Sequence, residues 1–224
     1  INADYDSAGD GTLTVVTGKV VTSNQSDVTL TVWDLDLSGS LTSGTMTISV
    51  HGSKLAQTVG LGAEAKDMHI TDVELQHMTS SGGLRVGGSA GGSMVVDGIT
   101  ADGSSNVAPV VSLVAAHDDA QITFATAPST FLTVGAQADN GILCNTHLST
   151  VTTGMYLNAD TEDSATSDTT NNIIFADGRV ITARTVLTLE ASTGSITAAG
   201  TLTLNAGSGI VLLNSMLSVD NAKP

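Results

Sequence analysis

Short runs in which apolar and hydroxyl residues alternate recur from one end of the chain to the other. Thr12–Val15, Val28–Trp33, Thr45–Val50, Gln121–Phe124, Val186–Leu189 and Thr201–Leu204 each place one apolar face against one Thr or Ser face. An alternation of period two over four to six residues is the signature of a half-buried β-strand. Gly, Asn, Asp and Ser fill the intervals, so the strands are short and joined by turns. One stretch differs. In Thr71-Asp72-Val73-Glu74-Leu75-Gln76-His77-Met78 the Thr71/Glu74 spacing is that of a capping box, which predicts one or two helical turns projecting from or capping the strand layer.

Strands recurring every ten to fifteen residues suit a sandwich, a barrel or a solenoid. Internal repeats favour the solenoid. Leu187-Thr188-Leu189-Glu190-Ala191 returns fifteen residues later as Leu202-Thr203-Leu204-Asn205-Ala206. A longer echo pairs Ile1–Asp4 with Leu157–Asp160, Gly18–Thr22 with Gly178–Thr182, Gly39–Thr42 with Gly194–Thr197 and Gly44–Ile48 with Gly200–Leu204. The expected fold is an all-β, right-handed parallel β-helix with a short helical turn near 71–78. Residues 1–156 would form one large repeat, and 157–224 would begin a second copy in the same continuous solenoid. The chain begins mid-pattern at Ile1, which suggests a segment of a longer or processed polypeptide.

Composition narrows the function. Aromatics are 3% and charged residues 13% of the chain, too little charge for solvated helix faces. The formal net charge of −15 argues against nucleic-acid binding, which needs a basic surface. No apolar run reaches the roughly 18 residues of a membrane-spanning helix, so no membrane insertion is expected. The single cysteine, Cys144, lies in the apolar run Gly141–Cys144 and reads as a core residue.

Leu61-Gly62, followed by Ile70-Thr71-Asp72-Val73-Glu74-Leu75-Gln76-His77-Met78-Thr79 and then Leu84–Gly87, resembles a phrase of filamentous-haemagglutinin-like secreted adhesins. The tail, Gly194–Thr197 through Gly209–Leu212, resembles their solenoid coils. The resemblance implies a right-handed parallel β-helix, an extracellular or cell-surface location, and a role in adhesion or surface structure. At the roughly 20 residues per coil of that family, the chain would make a rod on the order of 50 Å long.

Candidate chemistry is sparse. The five histidines (His51, His69, His77, His117, His147) lack metal-ligand spacing, and no nucleophile elbow, carboxylate pair or phosphate loop is recognisable. No enzyme activity is expected. Asp4, Asp6 and Asp10 sit in a turn that looks like a calcium loop but lacks its later ligands, and they are weak metal candidates. Asp160, Glu162, Asp163 and Asp168 form a related acidic turn. No cofactor is expected beyond weakly bound Ca2+. Asn24-Gln25-Ser26 is a glycosylation acceptor if the chain is eukaryotic. The expected function is a non-enzymatic structural or adhesive solenoid, part of a larger fibre or filament. Its partners would be copies of itself or tandem repeats, and surface glycans. The alternative is a carbohydrate- or ice-binding solenoid using outward Thr, Ser and Asn faces.

Overall fold

A computed structural model describes residues 1–163, 168 and 170–219. The fold is a parallel β-helix. Its first face is an eight-stranded sheet: Val28–Val32, Ile48–Gly52, Leu84–Gly88, Val111–Ala115, Val134–Ala138, Met155–Asn158, Val186–Glu190 and Gly209–Leu212, every neighbour parallel. The second face also has eight strands, from Met68–Ile70 and Gln57–Gly62 through Gly91–Asp97, Ile122–Phe124, Ile142–Cys144, Ile173–Phe175 and Ile196–Ala198 to Met216–Ser218. Third-face strands form a three-stranded sheet (Val20–Thr22, Ser40–Gly44, Met78–Ser80) and a four-stranded sheet (Ser129–Phe131, Leu148–Thr150, Arg179–Ala183, Leu202–Ala206). Thr12–Val15 pairs with Asp34–Leu37 in a short separate sheet.

Alternation within each strand becomes stacking between coils. On the first face Val28, Ile48, Leu84, Val111, Val134, Met155, Leu187 and Ile210 are in register, and so are Leu30, Val50, Val86, Leu113, Ala136, Leu157, Leu189 and Leu212. On the second face Leu61, Val96, Phe124, Cys144, Phe175 and Ala198 form another ladder. Aside from the last coil's Ile210 and Leu212, these side chains are buried. Burying each large aliphatic contributes roughly 1.5–3 kcal/mol, so the ladders are the main source of stability.

Coil length is uneven. The first ladder steps by 20 residues from Val28 to Ile48, then by 36, 27, 23, 21, 32 and 23 to Ile210. Eight rungs make seven steps, and at about 4.8 Å each the described rod is about 34 Å long, shorter than the 50 Å expected from 20-residue coils. The extra residues lie between ladder strands. One insertion doubles back on the second face. Gln57–Gly62 pairs in parallel with Met68–Ile70, and the chain returns across the outside of the first strand. Gly60 lies under that return, where a Cβ would sit 1.8 Å from the Glu64 carbonyl oxygen. Asp67 closes the return by accepting from the Thr58 amide (3.1 Å) and hydroxyl (2.8 Å).

The helical turn is Asp72–Gln76, and it is built into the stack rather than projecting from it. The capping box forms: the Glu74 amide donates to Thr71 Oγ1 (3.2 Å), and the Thr71 amide donates to Glu74 Oε2 (2.8 Å). Leu75 is fully buried. Glu74 Oε1 accepts from the Leu37 amide of an earlier coil (3.0 Å), while Asp72 accepts from the amide and hydroxyl of Thr100 in a later one.

The long echo maps onto the coils unevenly. Gly39–Thr42 lies largely in the three-stranded third-face sheet, whereas Gly194–Thr197 leads into a second-face strand. The 156/157 boundary falls inside the strand Met155–Asn158, and both long sheets run through it.

Candidate functional site

The acidic turn near the N-terminus is brought together as a group. One carboxylate oxygen each from Asp4, Asp6 and Asp10 lie within 4.8 Å of one another. Asp4 is buried, and its Oδ2 accepts from the Gly9 amide (3.0 Å) and the Ser53 hydroxyl. The Ser53 bond, ahead of the opposing effect of burial, holds the Asp4 carboxyl below the usual range. Oδ1 of the same carboxylate is enclosed and accepts no hydrogen bond among the described residues. Lys54 reaches the same turn from two rungs along the stack: its Nζ donates to the Ala8 carbonyl (2.9 Å) and lies 5.6 Å from the Trp33 ring centre. The ammonium group is held by a backbone carbonyl of the turn and forms no ion pair with Asp4, Asp6 or Asp10 among the described residues. Sequence reasoning could not see Lys54 there, because 44 residues separate it from Asp10.

The histidines fasten backbone. His51 Nδ1 meets the Gly87 carbonyl (2.9 Å), His69 Nε2 the Gly62 carbonyl (2.8 Å) and His77 Nδ1 the Leu37 carbonyl (2.7 Å). His117 Nδ1 meets the Asp118 carbonyl, and His147 Nδ1 accepts from the Val180 amide. Cys144 is fully buried between Phe124 and Phe175 in its ladder, and burial pushes its thiol far up. Asn24 lies in an exposed turn with φ of +53°.

The Thr-x-Thr pairs do not share a face. Thr12/Thr14 are in the two-stranded sheet, Thr29/Thr31 on the first face, Thr45/Thr47 in and beside a turn, and Thr201/Thr203 at the edge of the third face. The outer side of the first face instead has a shallow cleft where Gly135 leaves a gap. Ser112, Thr133, Gln137, Tyr156 and Thr188 line it. The Tyr156 hydroxyl donates to Glu190 Oε2 and accepts from Asn158 Nδ2 (3.1 Å), which fixes the ring at the cleft.

The feature that sequence reasoning located only in outline is the far end of the stack. Among the described residues, Gly209–Leu212 and Leu202–Ala206 each pair on one side only, and Met216–Ser218 is the last strand of the second face. Their side chains occupy ladder positions whose equivalents one coil earlier, Leu187, Leu189 and Ile196, are fully buried. Ile210, Leu212 and Met216 are 42, 43 and 40% exposed. Leu202, Met216 and Leu217 line an opening at this end. At the opposite end Ile1–Ala3 runs along Val28–Val32 as a further parallel segment. The Ile1 amino group donates to the Thr29 carbonyl (2.7 Å), the Thr31 amide to Ile1 (2.9 Å) and the Ala3 amide to Thr31 (3.0 Å).

No family model, curated protein or solved structure matches the chain. Among the described residues no helix is long and apolar enough to cross a membrane.

Proposed function

We propose that this chain is a non-enzymatic structural or adhesive β-solenoid that works as part of a longer extracellular or cell-surface rod, extended by further copies of itself. The observation that carries this reading is the last coil, where Ile210, Leu212 and Met216 continue buried ladders into open solvent. In a solenoid each coil is stabilised by its neighbours, so a coil whose apolar cross-section is exposed among the described residues is a surface for another coil. The resemblance of 61–79 to secreted adhesins points the same way. Each histidine has one ring nitrogen engaged with backbone, a fastening role that suits a structural coil. Glycan contact is the second reading, favoured by the Tyr156 cleft with its fixed ring, Gln137 and Ser112.

Light scattering and negative-stain imaging across a concentration series test the proposal. The expected result is elongated particles that lengthen with concentration, abolished by Ile210→Asp with Leu212→Asp while circular dichroism stays strand-rich. A monomer of one length at every concentration would refute it.

A further inference from the structure

We infer that the corner joining the first and second faces holds a calcium-type divalent cation, bound by the carboxylates of Asp118, Asp139 and Asp168. These residues lie on three successive passes of the chain: after Val111–Ala115, after Val134–Ala138, and in the connection after Met155–Asn158. One oxygen from each lies within 4.8 Å of the other two. Ca2+ takes oxygen ligands at about 2.3–2.6 Å, so oxygens on opposite sides of one ion stand roughly 4.6–5.2 Å apart, and all three fit a single shell. The donors are carboxylates alone, with no His or Cys, which suits a hard cation rather than zinc.

The independent observation is the state of Asp168. Both of its carboxylate oxygens are enclosed and accept no hydrogen bond from an amide, hydroxyl or amine among the described residues; the side chain beside it is another carboxyl, Glu162. An enclosed carboxylate without a donor is strongly unfavourable unless a proton or a cation neutralises it. Asp139 beside it is 2% exposed, and its Oδ2 is oriented by the Asp119 amide (2.8 Å). No Lys, Arg or His forms an ion pair with Asp118, Asp139 or Asp168 among the described residues. The contrast with Asp4 is instructive. There a serine hydroxyl and a backbone amide already answer the charge at Oδ2. At the second corner the Asp119 amide answers Asp139, and no amide, hydroxyl or amine among the described residues answers Asp168. An ion there would fasten three consecutive coils at one point.

The test is calorimetric titration of the whole chain with Ca2+, with Mg2+ as a control for general screening of the negative charge, and urea unfolding with Ca2+ or EDTA. The expected result is one saturable Ca2+ site in the submillimolar to millimolar range and an unfolding midpoint raised by Ca2+ over Mg2+. Affinity should fall tenfold or more in Asp118→Asn, an exposed position, and in Asp139→Asn. Asp4→Asn with Asp6→Asn should leave it unchanged. Absence of a saturable site, equal responses to the two ions, or a site lost in the Asp4/Asp6 variant and kept in Asp118→Asn would each overturn the assignment.

Discussion

Truncating one leucine in each of two adjacent coils measures whether the far end is open in solution. Leu189 and Leu212 are neighbours in one ladder, but Leu189 is fully buried and Leu212 is 43% exposed. Leu189→Ala removes a side chain enclosed between Leu157 and Leu212 and leaves a cavity, which costs about 2–5 kcal/mol. Leu212→Ala loses only about half of a leucine's transfer free energy of roughly 1.5–3 kcal/mol, and the gap opens to solvent, so its cost is about 1 kcal/mol. A coil stacked on the end would bury Leu212 and raise its cost into the range of Leu189. Urea unfolding followed by far-ultraviolet circular dichroism, at concentrations below and above association, reads both numbers. At low concentration Leu189→Ala should be the more damaging by at least about 1 kcal/mol, and the gap should close as association sets in. Equal costs at the lowest concentration would refute the open end. A gap that never closes would refute stacking through this ladder.

Two further outcomes are expected. Cys144 should resist thiol reagents in the folded protein and react on unfolding, and Cys144→Ser should cost about 1–3 kcal/mol by placing a hydroxyl between Phe124 and Phe175, read by the same urea curves. Asp27, held below the usual carboxylate range first by the Thr47 hydroxyl and then by the Thr47 amide, contributes stability that is present above the ordinary carboxylate value and lost as pH falls through its depressed one. The difference between wild type and Asp27→Asn should therefore be visible at neutral pH and shrink toward zero in strong acid; a difference that persists there would contradict it.

The fold was legible because its code is local. Alternation in Val186–Leu189 or Gln121–Phe124 needs no knowledge of the neighbouring coil, and Thr71 and Glu74 carry the helix start within four residues. What lay beyond reach depends on how coils superpose. Spacings from 20 to 36 residues hide which turns share a corner, so Asp118, Asp139 and Asp168 gave no common signal. Gly39–Thr42 and Gly194–Thr197 are similar in sequence yet serve different faces, because Gly-Ser/Thr-apolar strings suit any strand of the solenoid. Lys54 at the Asp4 turn follows from the same superposition, two rungs apart and invisible in sequence.

The uneven coils also make the molecule a ruler for its own extension under load. Tension applied along the axis from an end would peel rungs one after another, because each is held mainly by its neighbours. A released coil of 20 residues, Val28 to Ile48, yields about 70 Å of extended chain, while the 36 residues from Ile48 to Leu84 yield about 120 Å. The sequence of lengths, 20, 36, 27, 23, 21, 32 and 23 residues, is not palindromic. A stretched rod would thus announce from which end it was unravelling, and a cation bridging three passes would hold back the corresponding steps together.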